Sequence, residues 1–460
     1  MSRAKGLALA GVAAAALAAW AASAQRIDPR RPATFVVGAP AGASPMQRVD
    51  ARRSGMAKQA LPGSPLRVAW RKTIGLSIDQ AALAATDGTL AVVTARGDVM
   101  FLDEAGDERS HVTVGAGTVG PAVMTSDGTV VFATNGGDVI GVKRTAAQNQ
   151  RPRFVTRIGG ERAARAAPLA LDDGGVVVAS SYELVVLDAE GNVRARAAVP
   201  EPITSPLLAT GDKVVAIGAT GTVFGWTPGR EPSRIGSFGA PVDGGAAFAD
   251  ATTLLAVIET NHLVELDIAR GVRSTRAVAA QGLYLGPPSV RAGARGASIA
   301  TVLAMTPSRG FVVSVDPAGQ ETLRAPIATF TPQILPDGGT APLVAPPHVG
   351  PLVDARGAIA FAATDGHVGV VTPEGAVETI GEQLCSRSGR TSGSVAGLTP
   401  FGRGSFAVTC VDGVVVRIAG PEAEPPRPSS GAPRPRASAA PRPAEPPPGE
   451  PDDGDEADRP

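Results

Sequence analysis

One unit recurs eight times along the chain: a β-branched strand that follows a turn, then a short hairpin into a second apolar strand. The first strands of the units lie at 89–94, 129–134, 175–180, 213–218, 254–258, 299–303, 358–362 and 405–409, mostly 38 to 47 residues apart. Their companions lie at 99–102, 139–142, 184–187, 223–226, 263–266, 311–315, 368–371 and 414–418. A period of about 45 residues with four short strands per unit is the pattern of a β-propeller blade. A β-sandwich has no fixed period, and the near absence of helical stretches leaves no place for a TIM barrel or a Rossmann sheet.

The turn ahead of the first strand is often Asp-Gly, as at Asp87-Gly88 and Asp127-Gly128, which is a strong hairpin signal. Several units open on proline, at Pro121, Pro168, Pro206 and Pro351. The first residue of a strand need not donate to the ladder, so proline is tolerated there. The eighth unit ends at Gly420 without an outermost strand, and a strand at 67–74 precedes the first unit with no sheet of its own. The expectation is an all-β, eight-bladed propeller at 67–420, its ring closed by strand 67–74 pairing on the last blade. Closure of this kind removes an unpaired edge. Seven blades is the alternative, because the 59-residue step before Ala358 has room for an irregular unit.

The formal charge of zero is a sum of unlike parts. Residues 1–66 carry 9 basic and 2 acidic side chains, residues 421–460 carry 5 and 9, and the stretch between them 29 and 32. Such a balance argues against a nucleic-acid binder. Arg3 and Lys5, an apolar Ala-rich run from Gly6 to Trp20, and Ala22-Ser23-Ala24 read as a signal peptide at 1–24. An uncleaved anchor is the alternative, although so Ala-rich a run is only weakly apolar for a membrane span. No Cys stands immediately after the expected cleavage point, so a bacterial lipoprotein anchor is not expected. The mature chain is expected to be exported to the periplasm or secreted, and not integral to the membrane after cleavage. Residues 25–66 read as a linker or lead-in. The Pro-rich stretch 421–460, with its acidic end at 450–458, reads as a disordered tail, since it has too little apolar surface to offset the entropy of ordering.

The units resemble the PQQ (pyrroloquinoline quinone) repeats of the quinoprotein-dehydrogenase-like eight-bladed propellers. The residues that carry the likeness run, with departures, from Pro121 to Val142, Pro168 to Gly191 and Pro351 to Gly375. The lead-in from Pro45 to Gly55, followed by Arg67 to Arg71, also resembles the start of such proteins. The resemblance implies two branches. Its dehydrogenases stack PQQ on a tryptophan floor near the ring axis, beside an adjacent-Cys disulfide, with calcium held by carboxylate and amide ligands. Here only Trp70 and Trp226 lie beyond the signal peptide, Trp70 falls on the expected outer strand, and no two Cys are adjacent. The non-enzymatic branch includes the propeller lipoprotein of the outer-membrane β-barrel assembly machinery. The expectation is therefore a scaffold without cofactor or enzyme activity, binding a protein or cell-envelope partner, in outer-membrane protein assembly by the likeness. A PQQ-dependent dehydrogenase, or a PQQ- or metal-binding relative, is the alternative.

Individual motifs point the same way. Gly115-Ala-Gly-Thr-Val-Gly120 matches a nucleotide-binding string, but Pro121 and a strand follow where a helix would have to open. Asp103, Asp188, Asp267 and Asp316 each precede a Gly by three or four residues, the placement of turn formers. Cys385 and Cys410 are the only cysteines and are expected to pair in an oxidising compartment, with a contribution of about 3 kcal/mol for a loop of this length. Arg151, Arg153, Arg157, Arg162 and Arg165, with Arg144, cluster at the connection from the second to the third unit. They are either a solvated face or a docking patch for an acidic partner. The long Pro-rich insertion at 323–349 is the other candidate partner-binding element. His111, His262, His348 and His367 have no partner at metal-ligand spacing, and no nucleophile elbow or paired-carboxylate signature is present.

Overall fold

A computed structural model describes residues 43–423 apart from 145–150, 160–165, 280–281, 294–295, 307, 330–332, 335–339, 342–348, 364–365, 381–383 and 386–393. The fold is an all-β propeller of eight four-stranded antiparallel blades. From the axis outward, blade 1 runs Leu83–Ala84, Leu90–Val93, Val99–Leu102 and Glu108–Val112. Blades 2 to 6 repeat this order and end on the outermost strands Phe154–Arg157, Val193–Ala198, Ser233–Ser237, Val272–Val278 and Glu321–Thr329. Blade 7 spans Leu352–Asp354 to Val377–Ile380. Blade 8 is built from Val395–Pro400, Ser405–Cys410 and Val414–Ala419, with Arg67–Thr73 outermost.

The burial pattern explains why the repeat is legible. Second strands such as Val176–Ser180 are buried at every position, because the neighbouring blades cover both faces. Outermost strands such as Val272–Val278 are largely exposed and carry charged and hydroxyl residues. Proline keeps to positions that spare the ladder: Pro168 and Pro351 stand just ahead of innermost strands, and Pro121 sits at a register shift inside Thr118–Met124. Eight blades replace the seven-bladed alternative. The 59-residue step is taken up by the nine-residue outer strand Glu321–Thr329 and a connection that includes a small pair, Gln333–Ile334 with Thr340–Ala341.

Ring closure is antiparallel pairing of Arg67–Thr73 with Val414–Ala419, from Arg67 opposite Ala419 to Thr73 opposite Val414. Across the seam, Leu90 and Val92 of blade 1 share a cluster with Phe401, Ala407 and Val415 of blade 8, and Trp70 packs against it. Successive strands alternate in direction, so each blade has two kinds of end. The turn from innermost to second strand and the turn from third to outermost strand lie on one face of the ring, and the remaining connections lie on the other.

Residues 43–57 are not a free lead-in. They lie buried inside the ring, with Ala51 and Ala57 fully covered and Met46, Val49 and Arg53 at 1% exposure. No β-branched run marks this segment, and its burial rests on hydrogen bonds to the innermost strands. The expected signal peptide, the first part of the expected linker and all but the first three residues of the expected tail fall outside the described residues. Among the described residues no helix is long and apolar enough to cross a membrane.

Candidate functional site

The axis is occupied by the chain's own N-terminal segment, which visits the blades in ring order. Ser44 exchanges two backbone hydrogen bonds with Ala84 of blade 1, at 2.7 and 2.9 Å, and Pro45 accepts from the Met124 amide of blade 2 at 2.6 Å. Ala51, Arg52, Ser54 and Gly55 then accept from Ala209, Phe248, Val290 and Val353 of blades 4 to 7, at 2.8 to 3.0 Å. Met56 and Ala57 add a short parallel strand beside Val353 and Asp354, and Ala60 accepts from Gly404 of blade 8 at 3.1 Å. Each blade partner sits at or near the end of its innermost strand, so this clasp lies at the face of the innermost-to-second turns.

Two arginines of the clasp complete the circuit. The Arg53 guanidinium donates to the carbonyls of Leu207 (2.9 Å), Gln47 (2.7 Å), Pro168 (2.6 Å) and Ala167 (3.4 Å), which brings in blade 3. Arg48 donates to the carbonyls of Pro288 (2.5 Å), Pro351 (3.3 Å) and Arg53 (3.4 Å) and to Ser289 Oγ (2.8 Å). Three of these acceptors are carbonyls of prolines that open innermost strands or lie within one. Burial pulls the Arg48 guanidinium down to about 9 and Arg53 to about 10, with the Asp50 charge pulling the other way. Both remain cations at neutral pH. Asp50 itself is spent inside the clasp, accepting from the amides of Arg52 and Ser54 and from Ser54 Oγ. Gly55 and Gly350 leave the space that Arg48 fills, since a Cβ on either would strike its guanidinium.

The basic cluster divides between the two faces. Arg153 pairs with Asp127 and, at 3.6 Å, with Glu190, while Lys143 reaches Asp127 at 3.3 Å and Arg144 reaches Asp87 at 2.8 Å. Asp87, Asp127, Lys143 and Arg144 line a cleft of about 310 Å³ between blades 1 and 2, with Phe101, Ala85 and Met124 in its wall. Arg157 stands at the far end of its strand, opposite Asp138 in register and 3.4 Å from its carboxylate. Arg151 is exposed, and Arg162 and Arg165 lie outside the described residues. Of the five arginines named from the sequence, the structure therefore brings Arg151 and Arg153 to the cleft side and sends Arg157 to the other. Of the insertion at 323–349, residues 323–329 belong to the outermost strand of blade 6, and most of the remainder is outside the described residues.

Burial pushes the Asp127 carboxyl up, but the Thr125 and Thr129 hydroxyls, Arg153 and the Thr129 amide outweigh it and hold the group well below the usual carboxylate range. A depressed folded value means that the stabilisation is complete above the unfolded value of about 3.9 and is lost as pH falls through the folded one. Denaturation midpoints should therefore fall between about pH 5 and pH 2, and fall less steeply in Asp127→Asn. Equal slopes in the two proteins would remove Asp127 from the account.

The recurrent aspartates act on backbone turns. Asp103 Oδ1 accepts from the amides of Ala105 and Asp107, Asp188 Oδ1 from Glu190 and Asn192, Asp267 from Ala269 and Arg270, and Asp316 from Gln320. Gly115 to Gly120 lead into an innermost strand with no helix after them. Neither of the described tryptophans, Trp70 and Trp226, stands at the axis. Trp70 Nε1 donates to the Glu104 carbonyl at the blade 8 to blade 1 seam, and Trp226, on the third strand of blade 4, donates to the Arg230 carbonyl. Cys385 and Cys410 are bonded to each other, with Cα atoms 5.3 Å apart, and tie the connection before blade 8 to its second strand. A thiol assay on non-reduced protein is expected to find no free thiol, and two reactive thiols would contradict the pairing. Among the described residues no cluster of His, Cys, Asp or Glu could hold a metal ion.

No family model and no curated protein matches the sequence. Solved structures do. BamB from Moraxella catarrhalis matches at 18% identity and a TM-score of 0.54, covering 79% of this chain and 100% of that one. The quinohemoprotein alcohol dehydrogenase of Comamonas testosteroni matches at 12% identity and a TM-score of 0.57, covering 89% and 85%. The computationally designed Ika8 protein matches at 15% identity and a TM-score of 0.55, covering 76% and 100%. The fold of this chain is thus an eight-bladed β-propeller, similar to the folds of that BamB and that quinohemoprotein alcohol dehydrogenase.

Proposed function

We propose that the chain is an exported, non-enzymatic propeller scaffold that binds a protein or cell-envelope partner, in the setting of outer-membrane protein assembly. The observation that carries this reading is the clasp. Residues 44–57 fill the axis on one face, and their hydrogen bonds already take up the ends of the innermost strands there. A planar quinone stacked on a tryptophan floor at the axis finds neither its floor nor its disulfide among the described residues: Trp70 and Trp226 stand away from the axis, and the disulfide joins cysteines 25 positions apart. The fold shared with BamB and the sequence resemblance to the non-enzymatic branch support the same reading. The cleft lined by Lys143 and Arg144, together with Arg153 on the lining residue Asp127 and the exposed Arg151, is the partner-facing patch in this proposal, and an acidic partner suits it.

The test is a titration of the purified protein with PQQ and Ca²⁺, followed by absorbance and by dye-linked oxidation of alcohols and sugars. No stoichiometric binding and no turnover are expected. Stoichiometric quinone binding with turnover would return the chain to the dehydrogenase reading. On the scaffold side, cross-linking in envelope preparations is expected to capture a partner whose yield drops in Arg151→Glu/Arg153→Glu.

A further inference from the structure

We propose that the axis of the ring is a peptide-binding site, built for a turn-containing segment with two arginines five positions apart, and that residues 44–60 are its ligand, held in cis and separable from the ring. The inference does not depend on which partner the scaffold serves. Each guanidinium has a receptor made of backbone carbonyls supplied by separate blades, with no carboxylate in direct contact: Leu207, Ala167 and Pro168 for Arg53, and Pro288 and Pro351 for Arg48. A planar fork with five donors can satisfy carbonyls spread over such an arc, whereas the ammonium of lysine directs its donors from one point.

The segment also carries the marks of something docked and held. Arg48, Val49 and Arg53 have φ values of 62°, 77° and 53°, a left-handed region that costs a β-branched valine most. Gln47 Oε1 and Arg52 Nε are buried with no hydrogen-bond partner among the described residues. Such costs persist only where surroundings impose the conformation, and here the surroundings are the strand ends of the ring. Just beyond the clasp, Ser64 and Pro65 are exposed, so the link from the clasp to the outer strand of blade 8 is open to cutting.

The experiment places a protease recognition sequence between Ser64 and Pro65 of the full chain. After cutting, the N-terminal fragment is expected to co-elute with the ring on gel filtration and to leave it only on denaturation. A labelled peptide of residues 43–60 should then exchange into the cut complex. The same peptide with Arg48→Lys and Arg53→Lys should compete at least about tenfold more weakly, the size expected when charge-assisted hydrogen bonds are lost. Immediate separation of the fragment from a folded ring would overturn the proposal, as would equal competition by the lysine peptide. Collapse of the ring on cutting would overturn it too, because the clasp would then be an inseparable piece of one core.

Discussion

Arg53→Met is expected to destabilise the protein by about 3 kcal/mol, read as a lower midpoint in guanidinium denaturation with an unchanged slope. The substitution relieves the cost of burying a cation, which by itself would stabilise. It also leaves the carbonyls of Leu207, Ala167 and Pro168 facing a thioether in a site closed to water, and these acceptors cannot be redesigned away, because they are backbone. Unmade hydrogen bonds in a dry site outweigh the relief. Arg151→Met, at an exposed position, is the control and should shift stability by no more than about 0.5 kcal/mol. A shift for Arg53→Met no larger than the control's would mean that the clasp adds nothing to the ring.

Trp70→Ala is the second large effect, at about 3 kcal/mol. Trp70 lies on the strand that closes the ring, donates to the Glu104 carbonyl at 2.8 Å, and packs over Gly106. That carbonyl also accepts from Arg417 Nη1 at 2.7 Å, and the Arg417 guanidinium stacks on Phe401, 5.4 Å from the ring centre. Truncation therefore removes apolar burial and one arm of a shared polar junction. Gly106→Ala attacks the same place from below, since a Cβ there would come within 2.8 Å of the indole and the φ of 84° disfavours any side chain. Both variants should raise amide exchange in 67–73 before they do so in blades 3 to 5. Uniform exchange across the ring would show that the seam is no weaker than the rest.

The ring was legible because burial on both faces writes itself into a strand as an unbroken β-branched run. All eight such runs named from the sequence are second strands of blades, their companions are third strands, and 67–74 closes the ring within one residue of its structural end. The clasp was not legible for the same physical reason. Pro45 to Gly55 holds three Arg with a Gln, an Asp and a Ser, a composition that reads as solvated, and only three-dimensional carbonyl acceptors from distant blades make it an interior segment. In the sequence the opening prolines at 168 and 351 stand out for the N–H their ring lacks, while their part in the clasp lies in the carbonyl. The arginine cluster was misleading in a simpler way: closeness in sequence around a hairpin puts Arg153 and Arg157 at opposite ends of one strand.

The clasp and the closing strand have a consequence for how the chain reaches this state. Arg67 pairs with Ala419, and Arg48 donates to a carbonyl 303 positions away. The first segment of the ring to be synthesised is thus among the last to find its partners, and the loops that must close are nearly as long as the domain. Contacts so remote in sequence make for slow acquisition of the native state, and until the ring closes its strand edges stand unpaired. During that interval the protein depends on whatever guards unfolded chains in its compartment, and variants that weaken the clasp or the seam should first be visible as lower yield.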